Sequence, residues 1–506
     1  MKLNEKKKNT GYFAGIILFS INIVTSVILM ISFISIDILP CKYLVPVIMI
    51  LLLLTGLVFF TQVSGKGTNV GKLISIFMIL AFIFITASLF KIHNMFLAIS
   101  GPGAKIDLVS VVVLVEDPAE VIEDTSTYEF GIQKYIDRNN TDKTLKLISD
   151  KIGCELKTVT FIDFNSQIEA LYKKEAKAIL LNEAFRDIIN ELMPDFNYRT
   201  KVLGYQEIET KIEIKPSDKT DNAARSIINV DSFIAYISGI DTYGTVSRTG
   251  RSDLNIIAAV NTAAKKILLI NTPRDYYVSV PVDGGQMDKL THAGIYGVDI
   301  SMEILEQFYD IQIDYYVRIN LTSLNDVVDA LGGIDVESEY DFETVVDAID
   351  ASTGIIITPE YGYNAVEKYS FTKGINHLNG KAAMAFARER YAFAGGDNQR
   401  GRNQMLVIKA ILNKASSPSV VSGIGAIIDT VSKNFETNMS SGEIYNMIKM
   451  QMNDGASWDI MMYNVKGTGD SRTTYSAGNQ RLYVMIPDEE TVIEAREKIM
   501  EVMDNK

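Results

Sequence analysis

Residues Tyr236–Tyr277 read YISGIDTYGTVSRTGRSDLNIIAAVNTAAKKILLINTPRDYY. Three apolar runs predict buried strands separated by polar turns: FIAYIS, which begins at Phe233 and overlaps the start of this stretch, LNIIAAVN and KILLIN. Asp241 follows the first run after Gly239 and Ile240. The ends of buried strands are where α/β folds usually place ligands. The stretch therefore predicts an α/β domain with a ligand site at one end of its sheet.

The second and third runs predict a hairpin centred on Ala263 and Ala264. Symmetric pairing about that turn places Asp253 opposite Arg274, and directly opposed residues share one face of a sheet. A shift of one residue would send the two side chains to opposite faces, so the pairing is a specific prediction. We expect a carboxylate and a guanidinium to meet beside Asp241; a purely structural ion pair is the alternative.

A second polar segment, NGKAAMAFARERYAFAGGDNQRGRNQMLVIKAIL, spans residues 379–412. Its first helical pattern ends at Arg388 and Arg390, and its second carries Arg400 and Gln404 one turn apart on one face. With Arg402, four arginines fall within 15 residues of a chain whose net charge is −13. The cluster indicates an anion site, although a solvated helix face is the alternative.

The residue types favour phosphoryl or pyrophosphoryl chemistry. Arginine forks match phosphate oxygens, and two or three neighbouring carboxylates suit Mg²⁺, which completes its shell with water and substrate phosphates. Lys289, in the patch DKLTHA, adds a cation. The chain has 2 cysteines and 3 scattered histidines, which favours free structural thiols and surface imidazoles over a disulfide framework or a zinc site.

Three charge-free apolar stretches open the chain, at about residues 12–36, 43–63 and 73–89. Each is close to the roughly 20 residues that span hydrocarbon, which predicts three transmembrane helices in an anchor at 1–95. Lysines before the first stretch and between the second and third predict that these segments face the cytoplasm. The rest of the chain would then lie outside the plasma membrane, at the bilayer surface.

The outer part divides into two predicted pieces. Residues 106–228 alternate strand-like and helix-like runs and predict a small α/β accessory domain with no recognisable chemistry, favouring a binding or spacer role. A polar linker, Lys215–Ser226, leads into residues 229–506, one larger α/β domain. The acidic balance argues against general binding of nucleic acid but allows one focused basic pocket.

Several motifs resemble the LytR-CpsA-Psr family in order and spacing. They are SGIDTYG, RTGRSDLNI, NTPRDYYV, DKLTHAGIYG, YYVRINL, VVDALGGIDV, AFARERY and GGDNQRGRNQ, which cover about residues 231–415. The capsule-associated branch, with several N-terminal spans and an accessory domain, is the most similar. The resemblance implies a bacterial enzyme with a mixed central sheet flanked by helices and an apolar tunnel for a lipid tail.

The resemblance also implies a reaction and a set of site residues. A glycopolymer, capsular polysaccharide or another wall polymer such as teichoic acid, would pass from a polyprenyl pyrophosphate carrier to peptidoglycan through a phosphodiester. Asp241 and Asp253 match the family's carboxylates for Mg²⁺, with Mn²⁺ as a substitute, and Arg251 matches a further site arginine. The residues that match the pyrophosphate site are Arg274, Arg388, Arg390, Arg400, Gln404 and Lys289.

One departure and three alternatives stay open. Many relatives carry an arginine where this chain has Asn403, so Arg402 is left out of the predicted site. The general base is not identified, with Asp241 and Asp275 as candidates. The alternative functions are a non-catalytic regulator that binds the lipid-linked polymer, a pyrophosphatase that releases the polymer, and a transcriptional regulator, which the predicted spans and the acidic charge disfavour.

Overall fold

The computed structural model describes residues 2–63, 69–101, 103–212, 232–240, 248–282, 284–320, 324–346, 348–349, 356–357, 367–417 and 434–504. The expected linker at Lys215–Ser226 and the predicted ligand Asp241 lie outside these ranges. Within them the chain forms two compact units. One contains the three N-terminal helices and a later helix at Ser441–Asp454, and the other contains the sheets of both expected outer domains.

The α-helices of the described ranges are α1 Lys2–Ile36, α2 Cys41–Val63, α3 Asn69–Ile99, α4 Arg138–Ile152, α5 Phe164–Tyr172, α6 Arg186–Leu192, α7 Phe196–Arg199, α8 Leu290–Tyr296, α9 Val298–Tyr309, α10 Leu324–Ala330, α11 Gly380–Arg388, α12 Asp397–Ala415, α13 Ser441–Asp454 and α14 Glu489–Asp504.

The strands of the same ranges are β1 Ala104–Leu114, β2 Glu129–Gln133, β3 Lys157–Phe161, β4 Ala178–Asn182, β5 Thr200–Lys211, β6 Ser232–Ile240, β7 Ser252–Asn261, β8 Lys266–Asn271, β9 Tyr277–Val280, β10 Gln286–Lys289, β11 Tyr315–Asn320, β12 Ile334–Ser338, β13 Phe342–Val346, β14 Ala348–Ile349, β15 Ile356–Ile357, β16 Glu367–Phe371, β17 Gly374–Leu378, β18 Phe435–Thr437, β19 Asp459–Asn464, β20 Gly467–Thr473 and β21 Arg481–Pro487.

The three N-terminal helices contain apolar spans at Phe13–Ile36, Cys41–Thr61 and Asn69–Ile99, each long enough to cross a membrane. Helix α3 continues ten residues beyond the predicted end of the third span, to Ile99. Its last turns pack against α13, where the Tyr445 ring lies 5.0 Å from that of Phe96 and its hydroxyl lies 2.8 Å from His93 Nδ1. The sequence analysis included α13 in the larger α/β domain at 229–506, whereas the structure groups this helix with the anchor helices.

The region expected to form the accessory domain, called by that name below, contains a five-stranded sheet in the order β3-β2-β4-β1-β5. Strands β2, β3 and β4 are parallel, while β1 runs antiparallel to β4 and β5. Apolar side chains cover both faces of the sheet, since β1 and β4 are almost continuously buried. The predicted alternation of strands and helices is therefore present, and α4 is followed by Gly153, which caps the helix in the left-handed conformation.

Residues 229–506, expected from the resemblance to form the catalytic domain and called by that name below, are built on a mixed six-stranded sheet in the order β18-β11-β6-β7-β8-β19. Strands β11 and β6 are parallel, as are β19 and β8, and the remaining neighbours are antiparallel. Helices α8, α9 and α14 contribute to a core with the inner face of this sheet. The mixed sheet flanked by helices agrees with the predicted fold class.

The hairpin β7–β8 has the predicted register. Asn261 pairs with Lys266 and Ile256 with Asn271, so residues pair symmetrically about Ala263 and Ala264. The carboxyl ends of β6, β8 and β11 and the first residues of β7 consequently meet at one edge of the sheet. The segments that follow these strands therefore form the candidate site.

Candidate functional site

A buried hydroxyl network fixes the start of β7. Ser252 is fully buried, and its Oγ lies 3.0 Å from Tyr236 Oη and 2.8 Å from Ser238 Oγ. Helix α8 packs directly against this point, because a Cβ on Gly294 would lie 2.7 Å from the Gly250 carbonyl oxygen. The backbone on either side of Ser252 is thus held tightly, which orients Arg251 and Asp253.

Asp253 and Arg274 form the ion pair that the hairpin register predicts. Arg274 Nη1 donates to Asp253 Oδ1 at 2.6 Å, and Thr291 Oγ1 donates to the same oxygen at 3.3 Å. Burial is the largest single influence on the pKa of Asp253 and acts to raise it. The charges of Arg274, Arg251 and Arg400 together hold that pKa below its usual range, so Asp253 is ionised at neutral pH.

A cavity of about 280 Å³ lies beside this pair. Basic side chains dominate its lining, which also includes two carboxylates, two hydroxyl groups and one imidazole. The lining residues are Glu191, Arg251, Arg274, Asp275, Lys289, Thr291, His292, Arg390 and Tyr483. Four cations converge on one cavity of an acidic protein, which makes the cavity a candidate site for a multiply charged anion.

Lys289 is almost completely buried, since its side chain is only 6% exposed. Its Nζ lies 3.5 Å from Asp275 Oδ1 and 3.6 Å from Glu191 Oε1. Asp275 Oδ2 in turn lies 3.8 Å from Arg274 Nε. The two cations therefore share Asp275, which holds their charges side by side.

His292, which was predicted to be a surface imidazole, is fully buried. Its Nδ1 lies 2.6 Å from Asp288 Oδ1 and 2.8 Å from Ser476 Oγ. Asp288 Oδ2 also accepts the Ser476 backbone N–H at 2.9 Å, and Oδ1 accepts that of Lys289 at 2.7 Å. Among the described residues His292 Nε2 has no hydrogen-bond partner.

This network keeps Asp288 charged and the start of α8 in place. Burial acts most strongly to raise the pKa of Asp288, but His292 and the surrounding donors hold it below its usual range. The spacing of four between Asp288 and His292 is visible in the sequence, whereas Ser476 lies 184 residues away from His292. The sequence therefore shows the spacing of Asp288 and His292 but does not indicate that Ser476 joins them.

Two carboxylates of the accessory domain reach the same site, which the sequence did not predict. Asp187 Oδ2 lies 3.0 Å from Arg251 Nη2, and Glu191 Oε1 faces Lys289. Both carboxylates lie on α6, one turn apart. No local pattern in α6 distinguishes these side chains from ordinary solvent-exposed acids.

The second basic segment is only partly in the cavity. Arg390 lines it, and its guanidinium stacks 4.5 Å from the centre of the Tyr391 ring. Arg400 lies near enough to lower the pKa of Asp253. Arg388 is exposed and Gln404 is buried, and neither belongs to the lining. Arg402, which the predicted site omits, has its Nε 3.3 Å from Glu339 Oε1.

The described residues fit a metal ion that takes most of its ligands from water and substrate rather than from the protein. They contain no cluster of three or more histidine, cysteine or acidic side chains. Both of the described hydrogen bonds to the Asp253 carboxylate go to Oδ1, which leaves Oδ2 as a possible ligand. Mg²⁺ commonly takes one or two carboxylates and completes its shell with water and phosphate oxygens. Asp253 suits that arrangement.

Residues 201–496 match the family model described as the LytR_cpsA_psr family. The match covers more than half of the chain and spans every element that lines the cavity except α6.

Curated relatives include the polyisoprenyl-teichoic acid–peptidoglycan teichoic acid transferases TagU of Bacillus licheniformis and Bacillus subtilis. The first is 31% identical over 257 residues and the second 33% identical over 258 residues, in each case 51% of this chain and 75% of the relative. The crystal structure of B. subtilis TagU is 28% identical and aligns with 55% of this chain and 98% of its own, with a TM-score of 0.40.

Proposed function

The chain belongs to the LytR-CpsA-Psr family, and we propose that it transfers a glycopolymer from a polyprenyl pyrophosphate carrier to peptidoglycan. The relatives that share 31% and 33% of their aligned residues with it are named as transferases of teichoic acid from a polyisoprenyl carrier to peptidoglycan. The observation that carries the proposal is the convergence of Arg251, Arg274, Lys289 and Arg390 on one cavity beside the ionised Asp253.

The donor pyrophosphate binds among these four cations. Arginine forks make paired hydrogen bonds to phosphate oxygens, and Lys289 adds a compact, buried charge. The acceptor hydroxyl attacks the phosphorus that carries the glycan, and the bridging P–O bond breaks. Polyprenyl phosphate leaves with the electron pair, and the cations stabilise the charge that develops on it. Arg388, Arg400 and Gln404 are proposed to contact the donor outside the described cavity.

We assign Mg²⁺, or Mn²⁺ in its place, to Asp253 and to Asp241, which lies outside the described residues. The ion supplies Lewis-acid charge to the pyrophosphate oxygens when it is bound. Asp253 is prepared for this role because Arg274 and Thr291 orient its carboxylate through Oδ1.

A membrane anchor would place the protein in the same bilayer as its proposed lipid carrier. Three apolar helices could anchor the chain in the bacterial plasma membrane, and the lysine distribution favours a cytoplasmic N-terminus and an extracellular catalytic domain. Lipid-linked polymers are then available in the outer leaflet, and the polyprenyl tail would lie in an apolar tunnel of the catalytic domain. The polymer is proposed to be capsular polysaccharide, with teichoic acid or another wall polysaccharide as the alternative.

A direct test uses the full-length protein in lipid nanodiscs with polyprenyl pyrophosphoryl oligosaccharide, Mg²⁺ and a peptidoglycan fragment. Mass spectrometry should detect a conjugate joined through a phosphodiester. We expect Asp253→Ala, Arg274→Ala and chelation of the metal each to abolish it. The Lys173→Ala variant, which alters a surface ion pair of the accessory domain, should transfer normally.

The two other functions give different products. A pyrophosphatase would release the oligosaccharide as its phosphate with or without the peptidoglycan fragment. A regulatory binding protein would hold the donor without turnover and would be indifferent to Asp253→Ala. Either result would contradict the proposed transfer.

A further inference from the structure

The accessory domain is joined to the catalytic domain through a shared apolar cluster. Phe185, Ile188 and Ile189 of the accessory domain pack in one cluster with Ile295 and Tyr296 of α8. The rings of Phe185 and Tyr296 lie 6.1 Å apart at their centres. Because protein interiors are close-packed and resist deformation, this cluster fixes α6 against the helix that follows Lys289.

Polar contacts add a second connection between the same domains. Thr249 Oγ1 donates to Asp107 Oδ1 at 2.7 Å, two residues before Arg251. Lys105 Nζ donates to the Tyr296 carbonyl oxygen at 2.9 Å. Side chains of the accessory sheet thus form hydrogen bonds both with the segment that carries Arg251 and with the end of α8.

The side of α6 that does not enter the apolar cluster faces the catalytic cations. Asp187 contacts Arg251, and Glu191 contacts Lys289 and lines the cavity. Residues four apart lie on the same face of a helix, so α6 presents a short acidic wall to a basic cavity. This wall consists of Asp187 and Glu191.

Exposure distinguishes the two carboxylates that line the described cavity. The Asp275 side chain is 11% exposed and is shared between Lys289 and Arg274, whereas the Glu191 side chain is 40% exposed and has Lys289 as its described partner. Tyr483, which also lines the cavity, is 51% exposed. The cavity therefore meets solvent on the side of Glu191 and Tyr483, and a polymeric acceptor has to approach from solvent.

We propose that α6 of the accessory domain forms the acceptor side of the catalytic cavity and that Glu191 positions the attacking hydroxyl. The inference rests on the proposed transfer. The hydroxyl donates a hydrogen bond to the Glu191 carboxylate. As its oxygen bonds to the glycan-bearing phosphorus and the bridging P–O bond breaks, its proton passes to that carboxylate. Polyprenyl phosphate departs with the electron pair of the broken bond, so charge and atoms balance.

Asp187, the other residue of the acidic wall, has a different role. It holds Arg251, whose Nε has no hydrogen-bond partner among the described residues. The contact leaves one edge of the guanidinium for a phosphate oxygen. Asp187 is therefore a positioning residue that acts through Arg251, and its loss should weaken binding of the donor.

The experiment measures donor affinity and transfer rate separately, with the full-length protein in nanodiscs. The variants are Glu191→Gln, Glu191→Asp, Asp187→Asn and, as a matched control, Glu169→Gln. Glu169 lies on another helix of the accessory domain and pairs with Lys173 on the surface. The donor is polyprenyl pyrophosphoryl oligosaccharide, and initial rates are followed against the concentration of a peptidoglycan fragment.

We expect Glu191→Gln to bind the donor at least as tightly as the wild type, because a negative charge near the phosphates is removed. Its maximal transfer rate should fall about 100-fold, the usual contribution of a positioned proton acceptor. Glu191→Asp should retain more activity than Glu191→Gln, since it can still accept a proton. Asp187→Asn should instead raise the dissociation constant of the donor, and Glu169→Gln should match the wild type.

The possible failures are distinguishable. A wild-type protein that transfers beside a Glu191→Gln variant that transfers equally fast overturns the assignment of Glu191 alone. Loss of donor binding in Glu191→Gln also overturns it, because the side chain would then be structural. A wild-type protein that binds the donor without forming any conjugate overturns the proposed function itself.

Discussion

The ion pairs of the catalytic cavity and those of the accessory surface use the same residue types in different surroundings. Arg274 and Asp253 meet with side chains that are 19% and 14% exposed, whereas Lys173 and Glu169 meet with side chains that are 60% and 57% exposed. Surface pairs contribute little because water screens them, while breaking a buried pair leaves a charge without compensation. The charged side chains beside the cavity are therefore partly desolvated, which strengthens their interaction with an anion.

The largest expected effect comes from the buried histidine pair. His292→Gln removes the partner of the buried Asp288 and should lower the free energy of unfolding by about 3 kcal/mol. It should also slow transfer, because Asp288 accepts the Lys289 backbone N–H. The matched control is His377→Gln, since His377 Nδ1 lies 2.8 Å from Asp335 Oδ1 on the surface. Denaturant unfolding measures the free energy of unfolding of both variants. Equal losses of stability in His292→Gln and His377→Gln would contradict the expected difference.

The buried carboxylate of Asp137 is a contrasting case, because burial outweighs the opposing charge of Lys105. Burial and the neighbouring charge of Asp107 raise the pKa of Asp137 to about 7, the opposite of the shift at Asp253. Because the folded pKa exceeds the unfolded value, the stabilisation is complete below about pH 4 and is lost as the pH rises through about 7. The free energy of unfolding should therefore fall by on the order of 2 kcal/mol between pH 5 and pH 7.5.

The variant Asp137→Asn isolates this contribution. Asparagine tolerates the left-handed conformation at this position, where φ is 53°. Urea unfolding at several pH values should show a flatter pH dependence for the variant than for the wild type. An unchanged slope between pH 5 and pH 7.5 would show that Asp137 is not the titrating group.

A conservative change in the cavity should have a smaller effect. Arg274→Lys keeps the positive charge but loses the planar fork that pairs with a carboxylate and with phosphate oxygens. We expect transfer to slow about tenfold, or about 1.4 kcal/mol in the activation free energy. Arg138→Lys, which alters an exposed pair with Asp142, is the control and should transfer at the wild-type rate. Steady-state transfer rates of the two variants test this expectation.

The smallest expected effect is at the accessory surface. Removal of the pair by Lys173→Ala should change the free energy of unfolding by less than about 0.5 kcal/mol, as measured by chemical denaturation. A loss comparable to that of His292→Gln would mean that exposure does not separate the two groups of ion pairs.

The sequence predicted features that depend on near neighbours along the chain. The symmetric hairpin about Ala263 and Ala264 was sufficient to bring Asp253 to Arg274, because register follows from the turn and from strand alternation. The apolar stretches likewise predicted three long N-terminal helices, although α3 extends to Ile99 past the charged and polar residues after Leu89. The departure at Asn403 was enough to leave Arg402 out of the site, and Arg402 pairs with Glu339.

The sequence by itself thus determined the family, the mixed sheet, the apolar anchor and the basic character of the site. Tertiary structure alone decided which side chains surround the cavity. It joined His292 and Asp288 to Ser476, placed Glu191 of the accessory domain beside Lys289, and left Arg388 out of the cavity lining. These contacts join segments up to 188 residues apart. They arise from the packing of whole domains, which periodicity and residue spacing do not encode.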